Sequence, residues 1–252
     1  FVLRLSSAKR KVLIIAFWLV LWQVLAMAVH NDILIVGPLQ TLAALCTLVQ
    51  TPDFWLSIAA TWFRITAGFV LGCALGILLA YVSYRKQAVR ELLSPVIAAM
   101  KAVPVASFVI LILIWAGSEG LSFYISMIVV LPVLYLNTLS GLDSTDKKML
   151  EMAAVFHMPK SAQLRYIYLP QLEAFLLSGF KLSLGMSWKA GVAAEVIGQP
   201  LQTVGNGLYR SKINLDTAQL IAWTIVIVLI AWLMEKLVVL LLQRICRAGR
   251  RA

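Results

Sequence analysis

Three ionisable side chains share one otherwise apolar run: Lys181, Lys189 and Glu195 lie among Ser178, Gly179, Ser183, Gly185, Ser187 and Gly191, between Phe175 and Ile197. Lys181 and Lys189 are a little over two helical turns apart, so a helix sets them on one side at a spacing of about 12 Å. Two chemistries fit. In the plainer and preferred one, Lys189 and Glu195 pair inside a helical bundle while Lys181 reaches an interface; in the other, the ammonium groups line a wet path suited to an anion. Elsewhere the reactive residues are scattered. His157 has no second ligand near it and reads as a contact residue rather than a metal ligand or pH switch. Cys46, Cys73 and Cys246 fall outside, within and inside the apolar layer on the topology below, so no two readily pair, and with only His30 and His157 available no Cys/His metal site is legible. The apolar runs hold no legible nucleophile–base pair. No GxxxxGK[ST] phosphate loop occurs either, so the chain carries no legible nucleotide site of its own.

The elements that must position these groups follow from composition. The 252 residues are 62% hydrophobic and 13% charged, and the apolar residues gather in repeated near-continuous runs. A soluble domain has no use for several stretches of about 20 apolar residues, so this is an all-α, multi-pass membrane protein. The formal net charge of +11 sits mostly in short loops and tails, and the aromatic residues lie in the apolar runs. That pattern sets membrane orientation; nothing in it points to nucleic acid.

Six spans are expected, at about 12–29, 65–82, 95–115, 121–139, 175–197 and 218–234. Arg4, Lys9, Arg10 and Lys11 precede the first, and Ala26-Met27-Ala28 after it resembles a signal-peptidase site. The run is read as a retained span because every later loop then orients consistently. The sequence opens on Phe1, not Met, and a few residues are expected before it. Within 55–82, Arg64 is expected to snorkel to the outer interface, and Gly68, Gly72 and Gly76 form a row that permits close approach of another helix. Gly117-Ser118-Glu119-Gly120 and Gly205-Asn206-Gly207 are expected as outside turns. Of the 22 Lys and Arg, fifteen then fall in inside segments and only Arg210 and Lys212 in outside ones, with both termini inside. The chain reads as a single domain, 1–252.

Between the fourth and fifth spans lies a soluble-looking interlude, Met149 to Pro170, within an inside region 144–170. Leu150, Ala153, Ala154 and His157 recur at helical spacing and give a face of small residues suited to docking. Ser144 or Thr145 is expected to cap this helix, and Pro159 to break it before a second short helix ends at Pro170. Glu151, Met152 and Ala153, then position 157, then Ile167, Leu169 and Pro170 resemble the EAA motif of permease subunits of bacterial ATP-binding-cassette importers. Met152 stands where that motif has its first Ala and His157 where it has Gly, with the spacing kept throughout. The likeness runs from about Trp55 to the end. Ser94-Pro95, Ala102-Val103-Pro104, Ile114-Trp115-Ala116-Gly117 and above all the run Ser187 to Gly198 resemble the branch serving nitrate, sulfonates, taurine and bicarbonate.

The resemblance implies a type I importer permease in the bacterial cytoplasmic (inner) membrane, working as a pair of copies with a translocation path between them. It implies two ATP-binding cassette subunits that hold ATP and Mg, and an extracellular or periplasmic solute-binding protein. Glu151, Met152, Ala153, His157, Pro159, Ile167, Leu169 and Pro170 would form the ATPase-coupling surface, and Lys181, Lys189 and Glu195 are candidates for the path. No cofactor is expected in this chain. A sulfonate-, taurine- or nitrate-like anion is the favoured cargo, with a vitamin precursor such as a thiamine pyrimidine precursor as an alternative. A secondary transporter is the rival mechanism, but Glu195 and Glu235 are its only candidate carboxylates and both sit near span ends.

Overall fold

The computed structural model describes residues 7–29 and 31–251; Arg4 and His30 lie outside the described residues, as do the side chains of Cys246, Arg247, Arg250 and Arg251. The described residues form helices joined by short turns: α1 (Ser7–Val29), α2 (Pro38–Val49), α3 (Pro52–Arg85), α4 (Gln87–Ala102), α5 (Val105–Ala116), α6 (Leu121–Asp143), α7 (Lys147–Val155), α8 (Lys160–Gln163), a π-helical turn (Leu164–Tyr168), α9 (Leu169–Gly198), α10 (Val204–Ile213) and α11 (Thr217–Arg251). Four stretches are long and apolar enough to cross a membrane: Lys9–Val29, Pro52–Arg85, Leu121–Asp143 and Thr217–Leu240.

The expected span 95–115 is not one helix. α4 and α5 meet at Val103–Pro104 with a bend of 101°, and only taken together do they make a fifth crossing. Pro104 explains the break: it forces Val103 out of the helical region, to φ −71° and ψ 129°, and cannot itself continue the hydrogen-bond ladder. α9 is 30 residues long but carries Lys181, Lys189 and Glu195.

The centre of the bundle is α6, held between α3 and α9. Gly68, Gly72 and Gly76 lie against the α6 backbone: a methyl group on Gly72 would come within 2.8 Å of the Met127 carbonyl oxygen, and one on Gly76 within 2.8 Å of that of Leu131. Gly68 meets the Phe123 carbonyl in the same way. The carbonyls recur every four residues as the glycines do, so two helices pack in register along one seam. The Ser126 hydroxyl donates to the Ile65 carbonyl at 2.9 Å beside it. Ile65, Phe69, Val130, Leu134, Leu184 and Trp188 fill the space among α3, α6 and α9. α1 stands at the edge against α2, where the Trp22 indole donates to the Val36 carbonyl at 2.9 Å.

The helix directions gather Arg85, Lys86, Arg90, Lys147, Lys148 and Lys160 at one end of the bundle, with Arg90 paired to Asp143 at 2.9 Å. At the other end Arg64 pairs with Glu119 at 2.6 Å, so it finds a partner where snorkelling was expected. Overpacking the seam is costly by about 1–3 kcal/mol or more. Gly72→Leu is therefore expected to lower the thermal midpoint of the detergent-solubilised protein. Gly185→Ala, inside α9 at a site with open space around it, is expected to hold or slightly raise the midpoint in the same melting assay.

Candidate functional site

The segment between α6 and α9 is built from two linked caps. Asp146, rather than Ser144 or Thr145, starts α7: its carboxylate accepts from the Lys148 N–H at 2.9 Å. Ser144 is instead occupied in closing α6, its hydroxyl donating to the Gly141 carbonyl at 2.8 Å. Asp146 is also tied to the start of α9, its N–H donating to Gln171 Oε1 at 3.2 Å. α7 then ends before Pro159 is reached. His157 has φ 49°, in the left-handed region. The Met158 N–H donates back to the Ala153 carbonyl at 2.8 Å and the His157 N–H to that of Ala154 at 3.1 Å. These are the paired bonds of a Schellman cap, in which the left-handed residue is most often Gly. His157 thus takes the glycine's conformation without being glycine. Pro159 contributes an extended residue that opens α8.

Pro170 does not end the second helix. Having no N–H, and crowding the carbonyl four residues before it, it is accommodated by one wide turn in which the Leu169 N–H donates to the Leu164 carbonyl. The path from Lys160 through the π turn into α9 is therefore continuously helical, and the bend lies at 156–159 alone.

The expected docking face is turned partly inward. Ala153 is buried, Leu150 half-buried and Ile167 buried, whereas Ala154, His157, Glu151, Pro159, Leu169 and Pro170 are exposed. The outward apolar residues of α7 are Met149, Met152, Val155 and Phe156, the last two 75% and 77% exposed. Sequence reasoning singled out Met152 as a departure and passed over Val155 and Phe156. Their signal was there: two large apolar residues immediately ahead of a helix stop.

The three ionisable residues of α9 separate into two environments. Lys181 and Lys189 are exposed, on a stripe with Ser178, Gly185 and Met186. Glu195 is fully buried and does not pair with Lys189. Its Oε2 accepts from the Thr61 hydroxyl at 2.8 Å and from the Gly205 N–H at 3.2 Å. Thr61 Oγ1 in turn accepts from the Val204 N–H at 3.0 Å, and Thr203 Oγ1 from the Asn206 N–H at 3.2 Å. The first amides of α10 are thus all satisfied, and a carboxylate sits at its positive end. This is why the turn expected at Gly205-Asn206-Gly207 is the first turn of a helix. Gly205 is required there because a side chain would collide with Glu195.

A multi-pass helical bundle with an exposed, capped interlude at its basic end defines a membrane transport subunit. The chain belongs to the family described as binding-protein-dependent transport system inner membrane component, whose pattern matches residues 72–248. It is an ABC-importer permease of the cytoplasmic membrane. It is 24% identical to the putative aliphatic sulfonates transport permease protein SsuC of Bacillus subtilis, over 90% of this chain and 83% of that one. It is 26% identical to the taurine transport system permease protein TauC of Escherichia coli, over 85% and 80%. The nitrate import permease protein NrtB of a Synechocystis strain is 25% identical, over 75% and 71%.

A left-handed residue with a side chain costs about 1 kcal/mol relative to Gly, and more when β-branched. His157→Gly is expected to raise stability by up to that amount. His157→Val should lower it and loosen the 156–159 bend, read as faster amide hydrogen exchange at Met158.

Proposed function

We propose that this chain forms, with a second copy of itself, the path by which a small anion crosses the membrane, driven by ATP and Mg bound on two separate ATPase subunits. A solute-binding protein outside the cytoplasm delivers the cargo. The observation that carries the coupling half of this reading is the exposed interlude: Met149, Met152, Val155 and Phe156 face outward from a helix whose ends are fixed by Asp146 and His157. Apolar side chains on a polar, basic end of a membrane protein are the expected footprint of a permanent partner. The absence of a phosphate loop in the sequence supports placing ATP hydrolysis on that partner. The basic end is cytoplasmic by the distribution of Lys and Arg, α9 makes the sixth crossing, and the whole chain acts as one permease domain.

The exposed stripe of α9 supports the anion path. Lys181 and Lys189 stand uncovered beside Ser178 and Gly185, on an exposed stripe of α9 that also carries Leu182 and Met186. Cations and small polar residues do not face lipid cheaply, so this face meets water or a second copy. The names of the relatives, which transport sulfonates, taurine and nitrate, favour the same charge class. Glu195 is engaged by Thr61 and the start of α10, which argues against it as the coupling carboxylate of an ion-driven carrier and leaves that rival only Glu235.

Two substitutions test the halves separately. Glu151→Lys is expected to leave the permease inserted but to abolish most transport-linked ATP hydrolysis in proteoliposomes; unchanged hydrolysis would remove the coupling assignment. Lys189→Glu is expected to cut anion uptake by about tenfold or more, the effect of about 1.4 kcal/mol on an ion in a poorly hydrated path. Uptake at the original rate would dispose of the anion path. Transport that persists after ATP depletion, with no ATPase co-purifying, would overturn the whole reading.

A further inference from the structure

A cavity of about 580 Å³ opens at the basic end of the bundle, between the last turns of α3 and α6 and the α8–π–α9 segment. Its walls are mostly apolar, with Ile77, Leu142 and Leu172 among them. Arg85 and Lys160 stand at its edge, and no carboxylate lines it. The carboxylate at that end of α6, Asp143, is already engaged by Arg90. Tyr81, half-exposed on α3, joins Tyr84 and Tyr168 around the opening, the residue type that marks the level of lipid headgroups.

We propose that this cavity binds one anionic phospholipid of the cytoplasmic leaflet. The headgroup phosphate is held by Arg85 and Lys160, and an acyl chain lies against Ile77, Leu142 and Leu172. A soluble anion satisfies the two cations but leaves the apolar wall uncovered; a zwitterionic lipid covers the wall but brings no net charge to the cations. One wall of the cavity is α8 and the π turn, so the lipid braces the segment assigned above to ATPase coupling. The leaflet rests on that assignment of the basic end; the binding chemistry does not.

The test is native mass spectrometry of the delipidated permease with its associated subunits, titrated with phosphatidylglycerol or phosphatidylcholine. Phosphatidylglycerol is expected to survive activation as a single adduct. The double variant Arg85→Gln/Lys160→Gln, altered only at exposed positions, should bind it about thirtyfold more weakly. Equal retention of phosphatidylcholine, or unchanged retention by the double variant, would overturn the proposal. So would inorganic phosphate alone protecting the protein thermally as well as phosphatidylglycerol, which would assign the cations to a soluble anion. Labelling of Met149→Cys, in a background with Cys46→Ser and Cys246→Ser, by an impermeant reagent in inside-out vesicles checks the sidedness independently, so that failure there is distinguishable from failure to bind lipid.

Discussion

The close seam between α3 and α6 is the constraint on which the rest of the bundle depends. In a bilayer, helices gain nothing from hiding apolar surface from one another, since lipid is equally apolar, so association rests on contact distance and on polar bonds. Gly68, Gly72 and Gly76 let α3 come down onto the Phe123, Met127 and Leu131 carbonyls of α6. At that separation each backbone contributes dispersion contacts and weak Cα–H···O contacts along several turns. The Tyr135 hydroxyl donates to Ser83 Oγ at 3.1 Å, extending the seam past the glycines with a bond that has no competitor in hydrocarbon. α9 closes on the free side of α6 by the same means: Gly179 meets Asn137, and Gly141 of α6 meets Leu172 and Phe175. Three helices thus form the rigid centre, and α1, α2 and α5 are arranged around it.

With the centre fixed, a buried charge becomes affordable at its outer end. Glu195 lies where α9 finishes, and a buried carboxyl group costs least where donors meet it: Oε2 has two, while Oε1 has none among the described residues. The partners come from two other elements, Thr61 of α3 and the first turn of α10. Thr61 would not be within reach if α3 were displaced along α6 by one turn. The outer hairpin is therefore not an independent lid. Its position is read from the α3–α6 register through a single carboxylate, with the Arg64–Glu119 pair fixing the neighbouring loop.

Much of this was legible in the residues. The glycine row announced a close helix contact, the apolar runs announced the membrane, and the soluble-looking composition of Met149 to Pro170 announced the interlude between α6 and α9. The failures share a cause: each concerned what a residue does to the backbone rather than to polarity. The span 95–115 was drawn straight across Pro104, which breaks the helix; Pro170 was read as a helix end and is absorbed by a π turn. His157 stood in a glycine position because that position requires positive φ, and the substitution hid the requirement while leaving it in force. The role of Glu195 was hidden for a different reason. Its nearest cation in sequence, Lys189, lies on the opposite, exposed face, while its true partners are 134 residues away and ten residues on.

The continuity of helix from Lys160 to Gly198 gives the two ends of the molecule a mechanical relation. α9 alone extends about 45 Å at the usual rise per residue, and its only irregularity, the π turn, lies at the basic end. A helix of that kind transmits tilt well, because bending it means stretching hydrogen bonds in many turns at once. Force applied to α7 reaches α9 through the bond from the Asp146 N–H to Gln171 and through the short bend at 156–159. At the far end the same helix grips α10 through Glu195. A rotation of α9 about its contact with α6 would therefore shift the outer hairpin and swing the Lys181–Lys189 face together, since all three belong to one rigid element. The π turn is the place where that element can yield, and it sits between the coupling segment and everything the helix carries.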